Sequence, residues 1–223
     1  MAETGAERYA MGDYTGAITL FEQELNATEE SVQSPILNNI ATCYVALDQP
    51  EKAIEYYQEA VTVDPGYARG WINLGVVQEK LGNADEALAS YEKVTDADPE
   101  VVAEAYVKKG TLLASQQRLE EALAAFRSAE SGAKGLVLVD MYTGIGGVEF
   151  MLKNTDAAEQ AFLKATEADP GGAAMAWTNL GVLRISQGRY ADAKAAFETA
   201  IRNDPSGKTK AAAYLQKLQT MGG

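Results

Sequence analysis

Histidine is absent from the 223 residues, and cysteine occurs once, as Cys43. Without histidine no Cys–His or Ser–His pair can activate a nucleophile, and the usual His- and Cys-based zinc ligand sets cannot be assembled. A single cysteine excludes an internal disulfide. Cys43 lies in the apolar helical stretch NNIATCYVAL, where a free thiol is expected to pack as a small hydrophobe. No apolar run approaches the ~20 residues of a transmembrane helix. Met1 leads into AETGAE rather than into a basic-then-apolar signal. The expectation is a soluble, cytoplasmic chain without direct membrane insertion; an exported form trimmed of its signal fits the same sequence.

Basic residues are scarce in the first half. Residues 1–102 hold 5 basic and 19 acidic side chains, net −14, whereas residues 103–223 hold 14 and 13, net +1. With a total of −13, the surface repels phosphate backbones, so nucleic acid is not expected as a partner. The acidic half is either a solvated, solubilising face or a field that attracts a basic segment of a partner protein. Low-complexity linkers are also lacking, since Gly and Pro recur at regular boundaries instead.

What is present is periodic. Gly5, Ala41, Gly75, Gly110, Gly146 and Gly181 follow one another at steps of 36, 34, 35, 36 and 35 residues. A ladder of alanines keeps pace twelve residues later: Ala17, Ala53, Ala87, Ala122, Ala158 and Ala193. Two ladders in phase mean one structural unit used six times, which points to a solenoid rather than an enzyme.

The third unit shows what the repeat is. In ARGWINLGVVQEKLGNADEALASYEKVTDADPE, Trp71, Leu74, Gly75 and Gln78 fall at helical spacing, and Gly82-Asn83 break the helix. A second helix follows through Ala87, Leu88, Tyr91 and Val94, and Asp98-Pro99 is expected to end it. Each unit is therefore two antiparallel helices joined by a tight turn. Gly75 and Ala87 are expected where the helices cross, with Tyr91 and Trp71 filling the space on either side. Residues 208–220 carry Ala212, Tyr214, Leu215 and Leu218 on a helix with Lys208, Lys210 and Lys217, and read as a cap on the last unit.

Motifs that hint at chemistry fail on inspection. NDPSGKT has Arg202 where a P-loop needs its first glycine, and a helix instead of a strand leads into it. DADPE lacks the glycine of a calcium loop. TGIGGVEF lacks G-x-G-x-x-G spacing. Gly146 belongs to the ladder, whereas Gly144 and Gly147 do not; they point to a kinked helix rather than to the approach of a ligand backbone. No cofactor is expected.

The pattern of a large residue, Leu-Gly, Tyr, Gly, Ala, aromatic, Ala and Pro resembles the tetratricopeptide repeat. Unit six supplies Trp177, Leu180, Gly181, Gly188, Tyr190, Ala193, Phe197, Ala200 and Pro205. Unit two supplies Leu37, Ile40, Ala41, Tyr44, Ala53, Tyr57, Ala60 and Pro65; unit five supplies Tyr142, Ile145, Gly146, Ala158, Phe162, Ala165 and Pro170. Unit four is looser, with Lys109 in place of the leucine and no closing proline. The boundaries are about 1–33, 34–67, 68–101, 103–136, 139–172 and 174–207, followed by the cap. The resemblance implies an all-α, right-handed superhelical solenoid whose first helices line a concave, peptide-binding face. The first unit reads as short and uncapped, so a second copy can pair there.

Carried onto this chain, the inward positions of the family give Asn38, Asn39 and Thr42 in unit two and Arg69, Ile72, Asn73, Val76 and Lys80 in unit three. They give Val107, Lys108 and Thr111 in unit four, Phe150 and Met151 in unit five, and Thr178, Asn179 and Val182 in unit six. Their apolar members, with Ile185, either form a groove for an amphipathic helix or extended peptide or pack against the next unit. Asn39, Asn73 and Asn179 share one position, where a carboxamide can grip a peptide backbone or serve a local structural role; Lys108 and Gly144 interrupt the series. The family's clamp for acidic chaperone tails is incomplete both in units one to three and in units two to four. The implied function is a non-catalytic scaffold that binds a peptide or helix of a partner protein. The alternatives are an assembly factor similar to the pilotins of type IV pilus secretins and an accessory domain of a larger enzyme.

Overall fold

The computed structural model describes residues 3–204 and 206–221; Pro205 of the repeat pattern and the closing glycines 222 and 223 lie outside them. The described residues are all-α, with thirteen helices and no strand: α1 (Gly5–Ala10), α2 (Tyr14–Ala27), α3 (Ser34–Ala46), α4 (Pro50–Val63), α5 (Ala68–Lys80), α6 (Ala84–Glu92), α7 (Pro99–Ser115), α8 (Leu119–Ala129), α9 (Gly135–Met151), α10 (Thr155–Ala168), α11 (Ala174–Ser186), α12 (Tyr190–Asn203) and α13 (Ala211–Met221). A 3₁₀ turn, Glu30–Val32, precedes α3. The chain divides into two compact units, Met1–Ala105 and Tyr106–Gly223, termed unit 1 and unit 2. The dividing point falls within α7.

One turn serves all six helix pairs. The second residue after α1, α3, α5, α7, α9 and α11 adopts positive φ: Gly12, Asp48, Gly82, Gln117, Lys153 and Gly188, with φ between 58° and 82°. The next amide then reaches back five residues, as in Asp13→Arg8, Gln49→Tyr44, Asn83→Gln78, Arg118→Leu113, Asn154→Glu149 and Arg189→Arg184, at 2.8–3.0 Å. This brings a donor to a carbonyl of the last helical turn. Three of the six residues have a Cβ, so the hydrogen-bond pattern holds the left-handed conformation even where glycine is not present to ease it.

The ladder glycines make room for an aromatic ring sixteen residues later. A Cβ added at Gly5, Gly75, Gly110, Gly146 or Gly181 would lie 2.5–2.8 Å from the ring of Phe21, Tyr91, Phe126, Phe162 or Phe197 respectively. In the second pair Ala41 and Tyr57 share one core cluster. Tyr91 thus lies on Gly75 itself rather than to one side of it. The ladder alanines are all fully buried, which lets the paired helices approach closely.

Gly144, expected to mark a kink, has another cause. Helix α9 runs unbroken, and a Cβ at Gly144 would fall into the Phe126 ring, which already faces Gly110. Gly147 meets nothing within 4 Å. Proline also acts differently from expectation at one boundary: α6 stops at Glu92, and Pro99 opens α7, where its missing N–H costs nothing. Asp98 accepts from the Glu100 amide at 2.9 Å, as Asp64 and Asp169 do from Gly66 and Gly171. In α13, Ala211, Tyr214, Leu215 and Leu218 share one face at i, i+3, i+4 and i+7, so Ala211 is the buried alanine and Ala212 is exposed. Leu218 joins Ala211 against Ala193, Phe197 and Ala200, and Tyr214 stacks on Phe197 at 5.6 Å. Cys43 is fully buried in the core of α2 and α3, and burial pushes its thiol up to about 11. Among the described residues, no helix is long and apolar enough to cross a membrane.

Candidate peptide-binding faces

The odd-numbered helices carry all the sequence-predicted site residues, and the structure sorts them by depth. Four do not reach an open face. Asn38, Ile72, Val107 and Thr178 are 7%, 1%, 7% and 3% exposed. They share one repeat position, at which the side chain is covered rather than open to solvent. Ile72 packs with Val94 and Ala105. The Thr178 hydroxyl donates to the Ala174 carbonyl at 2.8 Å. Asn38 accepts from the Asn73 amide at 2.8 Å, which ties α3 to α5.

That last bond changes the role of the asparagine series. Asn73 is a structural partner of Asn38, with its amide committed. Asn39 is exposed and Asn179 half-buried, and neither carboxamide has a protein hydrogen bond among the described residues. These two remain able to offer a donor and an acceptor to a peptide backbone.

The face of unit 1 is mostly polar. Arg69 and Glu104 form an ion pair at 2.8 Å, with side chains 46% and 28% exposed. At that exposure the pair contributes about 0–1 kcal/mol, and it occupies the guanidinium that would otherwise meet a ligand carboxylate. Thr42 donates to the Asn38 carbonyl at 2.8 Å and lies 3.0 Å from the Tyr57 hydroxyl. Burial raises the Tyr57 pKa, and the Thr42 contact opposes the rise. Tyr91 donates to Glu79 at 3.1 Å; burial first, and the Glu79 charge second, keep its phenol protonated far above the ordinary range. Val76 is half-buried and Lys80 exposed. Beside Asn39 and Thr42, the residues Ala6, Tyr9 and Phe21 complete a cleft of about 140 Å³. Tyr9 and Ala6 carry no signal in the sequence, because the short first helix offers too few positions for periodicity to show.

The face of unit 2 differs. Lys108 is half-buried and interacts with neighbouring groups, and Thr111 is exposed with its hydroxyl donating to the Val107 carbonyl at 2.9 Å. Phe150 is half-buried, Met151 is 50% exposed, and Gly147 leaves a gap before them. Val182 is half-buried against the cap rather than open; with Ile185, Tyr214 and Leu218 it lines a cleft of about 230 Å³. Among the described residues no group of three or more Asp, Glu, His or Cys side chains could hold a metal ion.

Two tetratricopeptide repeat profiles match the chain, one over residues 6–66 and 36–100 and the other over 80–135, 152–208 and 178–216. The Heat-shock protein cognate (HSC) co-chaperone sgt12 of Aspergillus fumigatus is 34% identical over 119 residues, 53% of this chain and 33% of that protein. The Protein O-mannosyl-transferase TMTC3 of Mus musculus is 26% identical over 187 residues, 78% of this chain and 20% of that protein. The chain thus spans a third or less of these curated relatives. Among solved structures, PilW, described as a widely conserved type IV pilus biogenesis factor, superposes with a TM-score of 0.74 at 18% identity, covering 96% of this chain and 94% of that one. The helix pairs, the shared turn, the glycine–aromatic contacts and the matched profiles agree: this chain belongs to the tetratricopeptide repeat family.

Proposed function

We propose that the chain is a non-catalytic interaction scaffold and that unit 1 holds a basic segment of a partner protein along its odd-numbered helices. One observation carries this: the unpaired Asn39 carboxamide stands beside the Tyr9–Thr42 cleft, in a unit with 5 basic and 20 acidic residues, net −15. The carboxamide suits a peptide backbone whatever its sequence. The cleft takes a small apolar side chain, and the field concentrates positive charge near it. Co-chaperone relatives such as sgt12 accord with a scaffold role.

The test is fluorescence anisotropy with the full chain and three labelled peptides of equal length, rich in lysine, in glutamate or in serine. The lysine-rich peptide is expected to bind tightest, to weaken with added salt, and to lose about tenfold on Asn39→Arg. Asn39 is exposed, so this substitution leaves the fold intact. Equal binding of the glutamate-rich peptide, or indifference to Asn39→Arg, would refute the proposal.

A further inference from the structure

Unit 1 has a second groove that uses none of these groups. Helices α4 and α6 form its walls and α5 its floor, with a volume of about 470 Å³. The floor is Trp71, Leu74 and Gln78, spaced i, i+3 and i+7, so it runs about 10 Å at 1.5 Å per residue. Trp71 donates its indole N–H to the Pro65 carbonyl at 2.9 Å, which leaves its ring as an apolar surface. Gln78 is only 7% exposed. Its side-chain oxygen accepts from Ser90 at 2.7 Å, but its amide nitrogen has no acceptor among the described residues. On the rim Glu86 and Lys93 stand seven residues apart on the α6 side, and neither has an ion-pair partner among the described residues.

These features specify an occupant. The floor asks for an apolar side chain. The Gln78 amide, which opens on the groove, can donate to a carbonyl, and helices leave only their last four carbonyls free, so an extended segment meets it best. The two rim charges ask for a basic residue near Glu86 and an acidic one near Lys93. Their separation of about 10 Å corresponds to roughly three residues of extended chain. We infer that the α4–α6 groove of unit 1 binds an extended segment of a partner protein in which an apolar anchor lies between a basic and an acidic residue. This site is independent of the Asn39 face.

A random peptide library displayed on phage, selected on the full chain, tests it. Ala89→Arg fills the groove from an exposed position on α6 with a residue that keeps the helix. Gln78→Met with Ser90→Ala removes the donor and its partner together at similar volume. Far-UV circular dichroism checks that each variant is folded. Selected peptides are expected to carry the basic–apolar–acidic spacing, to weaken about tenfold or more on Ala89→Arg, to weaken also on the double substitution, and to be indifferent to Asn39→Arg. The inference is overturned if no peptide is selected, or if those selected survive Ala89→Arg. Peptides lost on Asn39→Arg alone would support the odd-helix face and remove this groove. Groove-dependent peptides indifferent to Asn39→Arg would sustain this site even if the odd-helix face fails.

Discussion

Helix α9 carries three glycines within four positions, and replacing each with alanine separates packing from propensity. All three substitutions gain about 1 kcal/mol of helix propensity. At Gly147 the new methyl meets nothing within 4 Å, so that gain is expected in full. At Gly146 the methyl would sit 2.5 Å from two ring carbons of Phe162, about 1 Å inside ordinary carbon–carbon contact. Phe162 is 1% exposed and has nowhere to move without shifting α10. Overpacking of this kind costs about 1–3 kcal/mol, so Gly146→Ala is expected to range from neutral to about 2 kcal/mol less stable. The Gly146–Gly147 difference, from which propensity cancels, should be about 1–3 kcal/mol. Gly144→Ala, against Phe126, should behave like Gly146→Ala. The measurement is hydrogen exchange at α9 and α10 amides of the full chain under native conditions, because two compact units need not unfold in one step. A Phe162→Leu background should recover part of the Gly146→Ala loss, with a coupling of at least about 0.5 kcal/mol. Equal protection in Gly146→Ala and Gly147→Ala would refute the glycine–ring account of the repeat.

The turn makes a second prediction. Lys153 holds φ 65° with a Cβ in place, so Lys153→Gly should stabilise the α9–α10 pair by about 1 kcal/mol, read by exchange at the same amides; no gain would mean that the turn bonds carry no strain. A third concerns alkali. The Cys43 thiol is raised from 9.0 to about 11 by burial, so the folded state binds its proton more tightly than the unfolded state does. That stability is complete below pH ~9 and is lost as pH rises towards ~11, at most about 3 kcal/mol. Thermal melts between pH 8 and 11 should fall more steeply for the parent chain than for Cys43→Ala, and parallel slopes would contradict the assignment.

The helix pairs are legible in the sequence because their determinants are local and periodic. A glycine and a ring sixteen residues apart belong to one unit, and six copies average away any single exception. The exceptions are legible only in part. Gly144 stands outside the ladder, but its partner Phe126 lies in the preceding repeat, at a separation no single repeat displays. Proline cannot continue a helix, so Pro99 reads as a terminator; that it opens the next helix depends on where α6 ends after Glu92, which the loop 93–98 decides.

Site residues are harder to read for a definable reason. A repeat position fixes the direction in which a side chain leaves its helix, but not what the next helix places there. Asn38, Ile72, Val107 and Thr178 leave in the same direction, and all four are covered. One finds a carboxamide across from it, another finds Val94 and Ala105, and Thr178 turns back on its own helix. Part of the surface left in unit 1 carries polar atoms that the fold leaves unused, whereas Arg69 and Thr42 are already paired. Asn39 and Gln78 are two carboxamides of this kind, one exposed and one almost buried. The second is the better ordered: Ser90 holds the Gln78 side chain by its oxygen, so less conformational freedom is lost when its amide meets an acceptor. In the sequence Gln78 is a lone polar residue in the apolar series Trp71, Leu74, Gly75. Departure from a strict apolar stripe, more than membership of the inward positions, is the sequence signal that marks a group with chemistry still to do.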